Sequence, residues 1–188
     1  MGSFYTNVTL VGVDAAPVLE WLATQSRRAF VAIVGPDLVV YDEAGESQDG
    51  SHAALAAELS TIFATSALAA LNHDDDILFL QAFDQGALVG EYNSQPDYFG
   101  DDGDADGPGG SDPGSLDGAT LVTLFGRGDA AAVQAVLDED AVFASEQHLA
   151  VVEQLGLPLA AAGFGYTYVS NGEHPDGLDE DTLRRVGS

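Results

Sequence analysis

Residues 67–92 read Ala-Leu-Ala-Ala-Leu-Asn-His-Asp-Asp-Asp-Ile-Leu-Phe-Leu-Gln-Ala-Phe-Asp-Gln-Gly-Ala-Leu-Val-Gly-Glu-Tyr. Three apolar runs, Ala67 to Leu71, Ile77 to Phe83 and Ala87 to Tyr92, are separated by Asn72 to Asp76 and by Asp84-Gln85-Gly86. Asn, Asp and Gly favour tight turns, so the stretch predicts a three-stranded antiparallel meander. The middle run is apolar on both of its faces and belongs inside a sheet that is covered on both sides. The third carries Glu91 and lies nearer an edge.

Working outward, Ala29 to Val34 and Leu38 to Tyr41 flank Gly35-Pro36-Asp37 and read as a hairpin. Phe4 to Val11 alternates as a strand does. Two helices interleave with these strands. One is capped by Asp14, tolerates Pro17 in its first turn and is stapled by Val13 with Val18. The other is capped by Ser51 and places Leu55, Leu59, Ile62 and Phe63 on one stripe. Between Gln95 and Asp117 the composition turns to Asp, Gly, Pro and Ser, which marks an acidic loop or linker over residues 95–117. Beyond it the chain is mainly helical, with starts at Asp117 or Ser115, at Asp129 and at Ser145. Phe164 to Val169 reads as one more strand, and Leu178 with Leu183 brackets a terminal helix. The order β-α-β-β-α-β-β-β followed by helices predicts an α+β fold. We expect one domain over residues 1–188, built on a mixed, mainly antiparallel sheet and followed by a helical C-terminal part.

The chain holds 31 Asp and Glu against 5 arginines and no lysine, for a formal net charge of -26. Polyanions such as nucleic acid are repelled by such a surface. Adaptation to a saline interior and an acidic face for a basic protein partner both account for it. Arg27, Arg28, Arg127, Arg184 and Arg185 each follow or end a predicted helix, where a cation complements the helix dipole. No apolar run approaches the roughly 18 residues that span a bilayer, and the opening residues lack a basic stretch followed by an apolar one. These features read as a cytoplasmic protein that does not enter membranes. Cysteine is absent, which removes disulfides and thiolate chemistry.

Three stretches offer candidate sites. Asp102, Asp104 and Asp106, followed by Gly107, alternate as in an EF-hand calcium loop. Pro113 takes the position of the loop's bidentate glutamate, with Asp112 one residue early, so the four aspartates make either a weak, hydrated calcium site or a solvated acidic loop. His73 with Asp74, Asp75 and Asp76 joins an imidazole to three carboxylates, the donor set of a hard divalent ion. The competing reading is a hairpin turn, which favours the same residues. Tyr92, Tyr98 and Phe99 stand beside the acidic loop, either as a lip for a partner or ligand or as the end of the core. His148 falls on the apolar stripe of Val151, Val152 and Leu155 and reads as a partly buried, hydrogen-bonded histidine, with a catalytic base as the alternative. No HExxH, Walker-A or GxSxG pattern occurs.

Four segments together resemble a family of uncharacterised bacterial proteins: Gly2-Ser3-Phe4-Tyr5-Thr6-Asn7, Leu71-Asn72-His73-Asp74-Asp75-Asp76, Tyr92 with Pro96-Asp97-Tyr98-Phe99, and Gly165-Tyr166-Thr167-Tyr168. The resemblance implies a bacterial, cytoplasmic origin and carries no reaction, cofactor or catalytic residue. The sequence alone thus points first to a non-enzymatic acidic module that docks a basic partner. The alternatives are a metal-dependent enzyme built on His73 with Asp74, Asp75 or Asp76, and a weak calcium-binding protein using Asp102 to Asp112.

Overall fold

Among the described residues seven strands form one sheet, in the order β6-β5-β4-β1-β3-β2-β7. They are β1 (Tyr5–Leu10), β2 (Ala29–Val34), β3 (Asp37–Asp42), β4 (Ser66–His73), β5 (Ile77–Asp84), β6 (Ala87–Asn93) and β7 (Leu183–Val186). The helices are α1 (Ala15–Thr24), α2 (Ser51–Ile62), α3 (Gly118–Phe125), α4 (Ala130–Leu137), α5 (Ala144–Leu155) and α6 (Tyr166–Ser170). This computed structural model describes residues 2–96, 115–179 and 181–187. Every strand ladder is antiparallel, and one isolated parallel bridge joins Glu91 to Ser115. The α+β expectation holds.

Turn chemistry fixes the registers. Val34 pairs with Asp37 across Gly35-Pro36, with Gly35 at φ 59; proline cannot follow it to positive φ, which makes this a type II′ turn. Between β4 and β5, Asp76 N–H donates to His73 C=O at 3.0 Å while Asp74 and Asp75 hold φ 54 and 61, the type I′ signature. Aspartate tolerates this left-handed conformation because its short side chain bonds nearby backbone.

Alternation along the strands gives the sheet two apolar faces. Val8, Leu10, Val31, Val40 and Ala69 lie under Val18 and Leu22 of α1 and Leu55 and Leu59 of α2. Val39, Tyr41, Leu68, Leu78 and Leu80 lie under α3 to α6, whose Leu121, Val133, Val151 and Leu155 are fully buried. The helices that follow residues 95–117 therefore complete a three-layer stack on the second face, and the hydrophobic effect of burying these side chains holds the layers together.

Several local expectations change. Residues 164–169 do not form a strand: Asn7 Nδ2 donates to Phe164 C=O at 2.9 Å and Tyr166 N–H donates to Glu46 Oε1 at 3.0 Å, so α6 begins there instead. The backbone is satisfied without a sheet, and context overrides the strand propensity of Tyr-Thr-Tyr-Val. No terminal helix follows Leu178. Asp179 Oδ1 accepts from the N–H groups of Asp181 and Thr182, a turn that imitates a helix start, and the chain then pairs β7 along the edge of β2. Asp117 and Asp129 cap α3 and α4 as expected, but Gly50 precedes α2, and Ile62 is half exposed instead of buried.

The arginines also have other roles than the helix ends suggested. Arg127 makes a two-pronged contact with Asp37, at 2.7 and 3.0 Å, and reaches Gly156 C=O at the end of α5. Arg27 Nη1 lies 2.8 Å from Asp42 and Nη2 3.5 Å from Glu58. Arg28 pairs with Glu43, Arg184 and Arg185 belong to a strand, and Arg185 lies over the ring of Phe30. Asp37 and Asp42 are buried. Burial pushes the Asp42 carboxyl pKa up, and the adjacent Arg27 guanidinium pulls it back.

Arg127→Ala strands the buried Asp37 carboxylate and is expected to lower stability by about 3 kcal/mol in urea unfolding. Adding Asp37→Asn to that variant removes the uncompensated charge and should recover part of the loss.

Candidate functional site

Three of the segments singled out along the sequence, residues 2–7, 71–76 and 165–168, meet at one end of the sheet, around Tyr5. Tyr5 pairs with Asn72 across the β1–β4 ladder, and the turn after Asn72 lies against the start of α5. Phe143, in the N-cap position of α5, has no side chain able to cap. Asp75 supplies that function from the hairpin: its C=O accepts from Ala144 N–H and its Oδ1 from Ser145 N–H, both at 2.8 Å. Asn72, fully buried, holds Asp75 in place by accepting from its N–H at 3.0 Å and donating to its Oδ1 at 3.2 Å. Ser3 C=O accepts from the same Asp75 N–H at 3.0 Å.

Inside this frame the Tyr5 hydroxyl lies 2.9 Å from His148 Nδ1, with the two rings stacked at 5.8 Å. Burial pushes the Tyr5 phenol pKa up to about 12 and the His148 imidazole pKa down to about 4. Both shifts favour a protonated phenol beside a neutral imidazole, and their contact locks α5 onto β1. Asn7 ties down the chain before α6 through bonds to Ala161 C=O at 2.6 Å and Phe164 C=O. Gly165 is needed here: a Cβ would stand 2.9 Å from Tyr5 Cβ and 2.8 Å from Glu46 Oε1. His148 Nε2 and Asn7 Oδ1 have no hydrogen-bond partner on this face, and neither do Thr6 Oγ1 and both His52 nitrogens on the other. His52 is also buried, which depresses its pKa to about 4.

The predicted metal residues of the turn take separate directions. His73 Nδ1 lies 2.7 Å from Gln48 Oε1, with the Phe4 ring edge-on at 5.0 Å. Asp74 Oδ1 accepts from Gly2 N–H at 3.1 Å, Asp75 caps α5, and Asp76 is exposed. Among the described residues no three His, Asp or Glu side chains gather as a metal site would require. Tyr92 donates to Leu137 C=O at 2.8 Å and accepts from Gln147 Nε2 at 2.9 Å, joining β6 to α4 and α5. Tyr98, Phe99, Asp102, Asp104, Asp106 and Asp112 lie outside the described residues.

Arg27 and Arg28 share an open groove of about 430 Å³ with Asp42, Glu43 and Glu58. Carboxylates outnumber guanidinium groups on its wall, which disfavours a phosphate there. A second groove of about 470 Å³ lies between α3 and the β4–β6 strands, lined by Ser66, Asp84, Thr120 and Thr123 with Val89 and Leu124. The remote cap at Asp75 is what sequence reasoning missed. The signal was an Asx-rich turn together with a helix start that lacks a capping residue of its own.

Asp75→Ala is expected to cost about 1 to 2 kcal/mol and Asp75→Asn much less, measured by thermal melting, since asparagine caps nearly as well. The buried histidines give a second outcome. Both are neutral in the folded protein down to about pH 4 but protonate near 6.5 when unfolded. The unfolded chain then binds more protons, so stability falls as pH drops from 6.5 toward 4, by about 3 kcal/mol per histidine. The urea midpoint of His148→Gln should depend less on pH than wild type across that window. No protein-family model, curated protein or solved structure matches the chain.

Proposed function

We propose that the protein is a non-catalytic, acidic interaction module that docks a basic protein partner. The observation that carries this reading is the commitment of every arginine within the chain. Arg27, Arg28 and Arg127 are paired with Asp42, Glu43 and Asp37 at 2.7 to 2.8 Å, Arg184 stands 3.7 Å from Asp181, and Arg185 covers Phe30. With no lysine and a net charge of -26, the five arginines leave most of the carboxylates without a cation of the chain's own. Compensation must come from outside, as counterions or as a cationic partner whose approach the field accelerates. The buried Tyr5 and His148 support the same reading, because they brace the scaffold and face no solvent. No helix among the described residues is long and apolar enough to cross a membrane.

Calorimetric titration against a panel of basic proteins tests this directly. At about 50 mM salt at least one should bind, and raising salt to about 500 mM should weaken it tenfold or more, because the Debye length shrinks severalfold. A panel in which nothing binds at low salt ends the proposal.

A further inference from the structure

Val142 and Phe143 precede α5 and are 79% and 48% exposed. Neither does what a residue there usually does for a helix. Val142 is too exposed to staple the first turn, and Phe143 has no side-chain acceptor for a capping bond, which Asp75 makes in its place. The fold thus leaves the identity of two large apolar side chains without a structural account. An exposed apolar pair on a chain of net charge -26 marks a contact surface.

The surroundings say what kind of contact. Asp138, Glu139 and Asp140 lie just before the pair, Glu146 lies in the first turn of α5, and Asp74 and Asp76 flank the Asp75 that bonds to Ala144 and Ser145. All six are exposed and none is paired with an arginine. Arg127 is bound at Gly156, beyond the other end of α5, whose 12 residues span roughly 18 Å at the helical rise.

We infer that Val142 and Phe143, rimmed by these carboxylates, form the docking surface for a cationic amphipathic segment of a partner protein. The inference rests on the basic-partner reading above and adds to it the place and the apolar half of the recognition. An aromatic anchor at the centre with charge at the rim is how compact interfaces concentrate affinity. Charge complementarity selects this occupant. A second copy would bring the same carboxylates to the same rim, and an anionic lipid surface would be repelled by it.

The test uses the full chain and two probes, a Lys/Leu amphipathic peptide and an oligolysine of equal charge. Wild type should bind the Lys/Leu peptide about tenfold or more tightly than the oligolysine. Val142→Ser with Phe143→Ser should erase that preference and leave oligolysine binding unchanged. Ile62→Ser, on the opposite helical layer, should preserve it, and an unaltered melting temperature confirms that each variant is folded. If both probes bind and the Val142/Phe143 variant behaves as wild type, the surface is wrongly assigned while the basic-partner reading stands. Failure of both probes to bind at low salt sinks both. Self-association of wild type that the double substitution abolishes would make a second copy the occupant and overturn the inference.

Discussion

Both ends of β3 are buried aspartates, and the chain has only five cations with which to answer them. Asp37 takes Arg127 and Asp42 takes Arg27. A buried carboxylate without a partner is far more costly than an exposed one, which makes the placement of these two guanidinium groups a condition for the central strands to be covered at all. The Asp37 pair reaches further than its strand. Arg127 follows α3 and also holds the end of α5, so a single side chain fastens the helical layer to the hairpin of β2 and β3. Asp75 performs the matching task at the other end of α5, again with a carboxylate. The two ends of one helix are thus fixed to the sheet by opposite charges, each matching the sign of the helix dipole's demand: an anion at the N-terminus, a cation near the C-terminus.

This arrangement explains which parts of the molecule can be read from sequence. The meander of β4, β5 and β6, the β2–β3 hairpin and helices α1 to α5 follow from local periodicity and turn residues, and they appear where those signals place them. The failures share a cause. Residues 166–170 and 183–186 carry patterns suited to one state and adopt the other, because the deciding groups are remote: Glu46 and Asn7 for α6, and the edge of β2 for β7. The arginines were legible as scarce but not as partners of Asp37 and Asp42, since 90 and 15 residues separate the paired side chains. The site shows the same division. Clustering of Tyr5, Asn72, Asp75 and His148 needs the β1–β4 register and the seating of α5, and no local motif encodes either.

Tyr5, Asn7, Asn72 and His148 form a polar seam under an otherwise apolar layer. Such seams are costly unless satisfied, and their directional bonds select one seating of a helix among several that an apolar interface would tolerate. The acidic exterior and this interior seam then divide the labour. On the proposed reading the exterior would draw a basic partner from a distance, while the seam holds that exterior in a fixed shape.

The sheet is closed at one side by β7, which arrives from beyond the whole helical layer to lie along β2. Contacts between such distant segments form late, because loop-closure entropy opposes them until the intervening chain is ordered. Until then β2 presents an open row of backbone donors and acceptors, the kind of edge on which nascent chains stick to one another. Here the dense negative charge has a protective consequence during synthesis and refolding. Copies of the chain share the same net charge of -26 and repel one another, which opposes that sticking.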